Sequence, residues 1–162
     1  MNSLVDRMVR AVKLENALYD EVEHDASAIS QAALVVVLAS VLAGLGSTLR
    51  HFSILGLAAG ILSSLVGWAV WSACTWFIGT RVFKGTADVG EMLRVLGFAY
   101  TPMMLGIIPF IGGFIGFFWS LACGVVAVRQ GLDISTGKAV GTILLALLPA
   151  LLILAAINAV IY

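Results

Sequence analysis

Four stretches of this chain carry no charged side chain: Ala26 to Leu49, His51 to Thr80, Val95 to Val128 and Ala139 to Tyr162. A helix crossing the hydrocarbon core of a bilayer needs roughly 20 mostly apolar residues, and each stretch is long enough to supply one. Composition closes off the alternatives. Of 162 residues 61% are hydrophobic and only 11% charged, where a soluble domain carries about a quarter charged. Too few charges remain to give a globule of this size a water-facing shell. A secreted disulfide scaffold, a disordered chain, a nucleic-acid binder and a cytosolic enzyme are all disfavoured. Nine basic and nine acidic residues leave no overall field to steer a partner.

The third stretch is too long for one crossing: its 34 residues as a single helix would measure about 51 Å against a core of about 30 Å. Pro109-Phe110-Ile111-Gly112-Gly113 sits inside it, a cluster that favours a turn. The first arm of the resulting hairpin starts at Asp88, because Asp88-Val89-Gly90-Glu91 has the spacing of a capping box. The expected fold is therefore all-α, a polytopic membrane bundle of five transmembrane helices over residues 26–162. The spans lie near 27–49, 54–81, 89–108, 111–129 and 138–161.

Lys and Arg set the orientation. Arg7, Arg10, Lys13, Arg81, Lys84, Arg94, Arg129 and Lys138 fall on one side and only Arg50 on the other. The amino terminus is expected in the cytoplasm and Tyr162 outside. Residues 1–25 form a cytoplasmic amphipathic segment, not a cleaved signal, since the basic cluster is followed by Glu15, Asp20, Glu21, Glu23 and Asp25 before any apolar run. At ~100° per residue, Leu4, Val5, Met8, Val9, Val12 and Tyr19 share one face, and Arg7, Arg10, Lys13 and Asp20 the other. Two placements fit: in the cytoplasmic interface with the basic residues near anionic lipid, or packed on the bundle's cytoplasmic end.

Reactive constellations are scarce. Cys74 and Cys123 have no CxxC spacing and no adjacent His, so they read as small buried hydrophobes. His24 and His51 are expected on opposite sides. Gly131 to Ala139 resembles a phosphate loop, but five residues separate Gly131 from Gly137-Lys138 and Ala139 follows where Ser or Thr is needed. Ser135 or Thr136 instead caps the last helix, and Gly131 ends the fourth. No ionisable residue lies at a span centre, which argues against a pump or secondary transporter. No catalytic residue, metal or cofactor is expected.

Packing signals are clearer. Gly112, Gly116, Ser120 and Gly124 recur every four residues, as do Gly56, Gly60 and Ser64, with Ser40 and Gly44 echoing them. Small residues at this spacing let helix backbones approach closely in lipid. The approach is either within the bundle, between copies, or to a partner's transmembrane helix. Trp68 and Trp71, mid-span, either fill gaps opposite these glycines or line an internal pocket. Pro102 cannot donate a backbone hydrogen bond and frees the Phe98 carbonyl, with Tyr100 and Thr101 the nearest donors. The break reads as a packing kink or as a hinge or cavity-facing site.

Gly97-Phe98-Ala99-Tyr100-Thr101-Pro102 resembles the Gly-Tyr-x-x-x-Pro signature of the Ypt-interacting-protein (Yip) membrane family, with Phe98 in the tyrosine position. The surroundings agree in order: Glu91 to Leu96 before it, then Trp119, Gly131-Leu132-Asp133-Ile134-Ser135, and Lys138-Ala139 opening the last helix. The resemblance implies five transmembrane helices and a cytoplasmic amino-terminal region, and no constellation of residues supports an enzyme. Eukaryotic members act in vesicle traffic and associate with prenylated small GTPases and with one another. This chain departs in its short amino-terminal segment and in a second signature reduced to Leu18-Tyr19. Both departures make it similar to a short prokaryotic member in the cell membrane, and a GTPase partner is implied by analogy alone. Gly97, Phe98, Tyr100 and Pro102 are its motif and hinge positions. The functional expectation is a scaffold or adaptor binding membrane proteins, membrane lipids or a second copy of itself. The alternative is a passive transporter, channel or lipid-moving protein with its path beside Pro102.

Overall fold

The structure, a computed structural model, describes residues 3–47 and 53–161, with side chains for all of these except Ser47 and residues 157–161. Arg50, His51, the end of the first expected span and the side chain of Asn158 fall outside it. The described residues contain helices and no strand: α1 (Leu4–Val12), α2 (Asn16–His24), α3 (Ala28–Ser47), α4 (Ile54–Arg81), α5 (Val89–Ala99), a 3-10 helix (Thr101–Ile107), α6 (Gly112–Gly131) and α7 (Thr136–Ile161). Four of them, α3, α4, α6 and α7, are long and apolar enough to cross a membrane. The protein is an integral, multi-pass helical bundle.

The third crossing is not a continuous α-helix. α5 starts on a full capping box, Asp88 accepting from the Glu91 N–H while Glu91 accepts from the Asp88 N–H. It ends at Ala99 because Pro102 cannot supply the next helical donor, and the chain tightens into the 3-10 helix. End to end, these 11 and 7 residues reach about 30 Å, the thickness of the hydrocarbon core.

Close approaches give the direction of each segment. Gly97 lies against Ala32 and Gly106 against Ala43, so the broken segment runs parallel to α3. Gly116 lies under Pro102 and Gly131 beside Val95, so α6 returns antiparallel to it. Gly141 meets Phe83, and Ala146 and Ala150 pack with Cys74, which sets α7 antiparallel to α4. Among the described residues the chain runs back and forth through the bundle as four long helices and the broken α5–3-10 segment.

The amino-terminal segment is two helices where the sequence suggested one. Leu14 takes a positive φ of 61°, and α2 folds back beside α1. This reorders the expected faces. Val5 and Val9 are exposed at 66% and 47%, while Arg7 and Ala11 turn inward. Leu18, Tyr19 and Val22 of α2 are fully buried in the main core. Of the two placements, the structure has the hairpin packed on the bundle, with an apolar edge of α1 left outward.

Candidate functional site

The Pro102 break is satisfied locally. Thr101 Oγ1 donates to the freed Phe98 carbonyl at 2.7 Å, one of the two donors the sequence offered. Gly97, Phe98, Thr101 and Pro102 are all buried. Phe98 fills the core, and Gly97 lets α5 touch α3 so closely that an added Cβ would stand 2.6 Å from the Ala32 Cβ.

Beside the break lies a cavity of about 260 Å³ between α4, α5, the 3-10 helix, α6 and α7. Trp71, Tyr100, Met103, Phe117, Ser120 and Leu151 are among the residues around it, and none of its lining residues is charged. Trp71 is thus a pocket residue, whereas Trp68 anchors α4 to α5 by donating Nε1–H to the Leu93 carbonyl at 3.1 Å.

The three small-residue series have different fates. On α6, a Cβ at Gly116 would stand 2.6 Å from the Pro102 carbonyl oxygen, and Gly112 meets the Leu105 carbonyl still more closely. Gly124 reaches only Ile143, at an ordinary 3.7 Å, and borders the cavity with Ser120. On α3, Gly44 meets Leu57 of α4, and Ser40 donates to its own Val37 carbonyl. On α4, the Cβ position of Gly60 has nothing within 4 Å, and that of Gly56 meets only its own cap, Ser53. Ser64 is half-buried.

At the charged end the α1–α2 hairpin is held by ion pairs and by its helix ends. Arg7, 7% exposed, donates to Glu21, Gln31 and Asp25 at 2.9, 3.0 and 2.7 Å. Arg10 donates to Glu15 and Glu21 at 3.1 and 2.7 Å, and Lys13 is exposed. Burial opposes the charge on Arg7, but the carboxylates of Asp25 and Glu21 outweigh it and hold its pKa above the ordinary value. The Ser27 hydroxyl and then Arg7 hold Asp25 below its ordinary value. Helix α1 ends with carbonyls that have no intrahelical partner. Tyr19 and Cys123 donate to Ala11 and Trp119 Nε1 to Val12, so Cys123 acts as a weak donor that pins α1.

Glu23 is a feature the sequence did not reveal. It is 7% exposed, its Oε2 has no hydrogen-bond partner, and burial pushes its pKa to about 7 against the opposing pull of His24. Arg94 donates to the carbonyls of Val22 and Glu23 and ties the end of α2 to α5. Asp20, Glu23 and His24 bring three potential metal-ligand atoms within 4.8 Å of one another. They stand one turn apart on a single helix, with Asp20 and His24 exposed and His24 Nδ1 already 2.9 Å from the Asp20 carbonyl oxygen.

Neither a curated protein nor a solved structure matches the chain. The family model described as the Yip1 domain matches residues 19–157, from the second turn of α2 to the last turns of α7, and the protein belongs to this family of membrane proteins.

Proposed function

We propose that the protein is a non-enzymatic membrane adaptor that receives a transmembrane helix of another membrane protein, or of a second copy, on the outer half of α4. The reading rests on one observation: Ile54, Leu55, Ala58, Ala59, Gly60 and Leu62 are exposed, and among the described residues no other element lies over Gly56 and Gly60. In lipid, association comes from close backbone approach between small residues, so this face is suited to receive a further helix. The charged end carries Arg7, Arg10, Lys13, Arg81, Lys84, Arg94, Arg129 and Lys138, which supports placing it in the cytoplasm. The reduction of the second signature to Leu18-Tyr19 favours a prokaryotic cell membrane. A photocrosslinking side chain in place of Gly60, activated in native membranes, should yield discrete protein adducts, and one in place of exposed Leu148 should not. Lipid adducts alone at both positions would overturn the reading.

The cavity beside Pro102 favours a second reading, a passive path. Its lining offers few polar groups to replace the water around a hydrated solute, so this reading is restricted to apolar cargo. Purified protein in liposomes should then accelerate the flipping of a labelled lipid, and Pro102→Ala should change the rate. A rate equal to that of empty vesicles would end it.

A further inference from the structure

We propose that the charged ends of α4 and α7 bind an anionic phospholipid of the adjoining leaflet, with Arg81, Lys84 and Lys138 around its phosphate. The inference goes beyond the adaptor reading and uses the opposite end of α4.

The fold brings together cations that are distant in sequence. Arg81 is the last residue of α4, and Lys138 lies in the first turn of α7. Phe83, between Arg81 and Lys84, lies on Gly141, where an added Cβ would stand 2.8 Å from its ring. Gly141 is one turn along α7 from Lys138, on the same helix face. The loop that carries Lys84 is pinned on both sides. Gly85 N–H donates to the Gly79 carbonyl, and Thr86 donates its N–H to the Leu132 carbonyl and its hydroxyl to Asp133. The backbone of the patch is therefore set before any ligand arrives.

Charge and depth select the ligand. Arg7 and Arg10 are paired with carboxylates, Arg94 bonds carbonyls of α2 and Arg129 bonds Gln130. Arg81, Lys84 and Lys138 are exposed and form no ion pair or hydrogen bond among the described residues, Arg81 resting 5.9 Å from the Phe77 ring centre. The carboxylates nearest in sequence are engaged elsewhere: Asp88 caps α5, and Asp133 accepts from Thr86. A chain of zero formal net charge thus carries a local positive patch. The apolar spans Ile54–Arg81 and Thr136–Ala156 end and begin at these cations, which places them at headgroup depth. On the same two helices Phe77, Val140 and Leu144 are exposed, where the bilayer supplies acyl chains. A phosphate joined to hydrocarbon matches both parts, and a basic cluster beside a span gains about fivefold in affinity per cation from anionic lipid. A zwitterionic lipid carries its own cation and gains less.

The test uses the purified full-length protein in phosphatidylcholine vesicles, with a phosphatidylglycerol probe bearing a diazirine on its acyl chain near the glycerol and the matched phosphatidylcholine probe as its control. On illumination the phosphatidylglycerol probe should label peptides containing Phe77, Val140 and Leu144 on the order of tenfold more than the control. Both probes should label exposed Leu34 of α3 equally. Lys84→Gln and Lys138→Gln should each lower the ratio by up to about fivefold, and the variant that combines them with Arg81→Gln should bring it near one with unchanged helix content. Lys13, also exposed and unpaired among the described residues, stands on the hairpin away from the patch, so Lys13→Gln should leave the ratio as it is. If the triple variant fails to insert, the single changes decide. A wild-type ratio near one, the same ratio at Leu34 as at Phe77, or a Lys13→Gln as damaging as Lys84→Gln would overturn the proposal. None of these readouts uses the outer half of α4, so they stand or fall apart from the adaptor reading.

Discussion

On α6, Gly112 and Gly116 lie under the backbone of the 3-10 helix, whereas on α4 Gly56 and Gly60, at the same four-residue spacing, have no other element over them among the described residues. The contrast extends past the glycines. The side made by α3, α5, the 3-10 helix and α6 is also covered at its charged end by the α1–α2 hairpin, which is locked by Arg7, Arg10 and Arg94. The outer half of α4 and the exposed Leu144, Leu148 and Leu152 of α7 carry no such cover. A small-residue repeat thus states that close approach is permitted, and the surrounding chain decides whether the approach is already made. In α6 it is made by a segment that Pro102 has pulled into 3-10 geometry.

The closed side should break most sharply at Gly116. Gly116→Leu must displace backbone at Pro102, not a flexible side-chain end, and a loss of about 3 kcal/mol or more is expected. Denaturant titration in mild detergent measures it, and a loss under 1 kcal/mol would mean that α6 and the 3-10 helix do not pack as described.

Glu23 tests the hairpin lock. Its folded pKa, near 7, lies above the ordinary carboxylate value of about 4.3. The folded state therefore holds the proton more tightly, so the contribution is fully present below about pH 4 and is lost as pH rises through about 7. The full swing is on the order of 3 kcal/mol. Asp25, shifted downward by Ser27 and Arg7, works in the opposite sense, and its contribution fades only in the acid range below its ordinary value. Tryptic cleavage at Arg10 and Lys13 should accelerate from pH 6 to pH 8 in the wild type relative to a reference substrate. Glu23→Gln should flatten that profile.

Smaller effects follow along the same face. Trp119→Phe removes the donor to the Val12 carbonyl and should loosen α1 by about 1 kcal/mol, read as faster amide exchange in residues 4–12. Gly124→Ala, whose Cβ meets Ile143 at 3.7 Å, should change stability by less than about 0.5 kcal/mol.

Much of the bundle was legible because membrane helices are written as uncharged length, and because a turn cluster and a capping box are local signals. Pro102 announced the break and Thr101 its repair. Three things were not legible. Helical periodicity ran through Lys13 and Leu14 without marking the turn, so Val5 and Val9 were grouped on one apolar face with Leu4, Met8 and Tyr19, whereas in the structure Tyr19 is buried, Leu4 and Met8 pack on the core, and Val5 and Val9 are exposed. The burial of Glu23 depends on α2 landing against α5 and α6, which no local pattern encodes. The cavity exists because Gly67 and Gly124, distant in sequence, both leave space beside Trp71 and Tyr100.

The most direct test compares Gly60→Leu with Gly116→Leu in the same membranes, following both monomer stability and the protein adduct captured by a photocrosslinking side chain in place of exposed Ala59. For Gly60→Leu the prediction is a monomer within about 0.5 kcal/mol of wild type that has lost the adduct. A destabilised monomer, or an adduct that survives the leucine, would contradict the claim that α4 presents an open face to a partner.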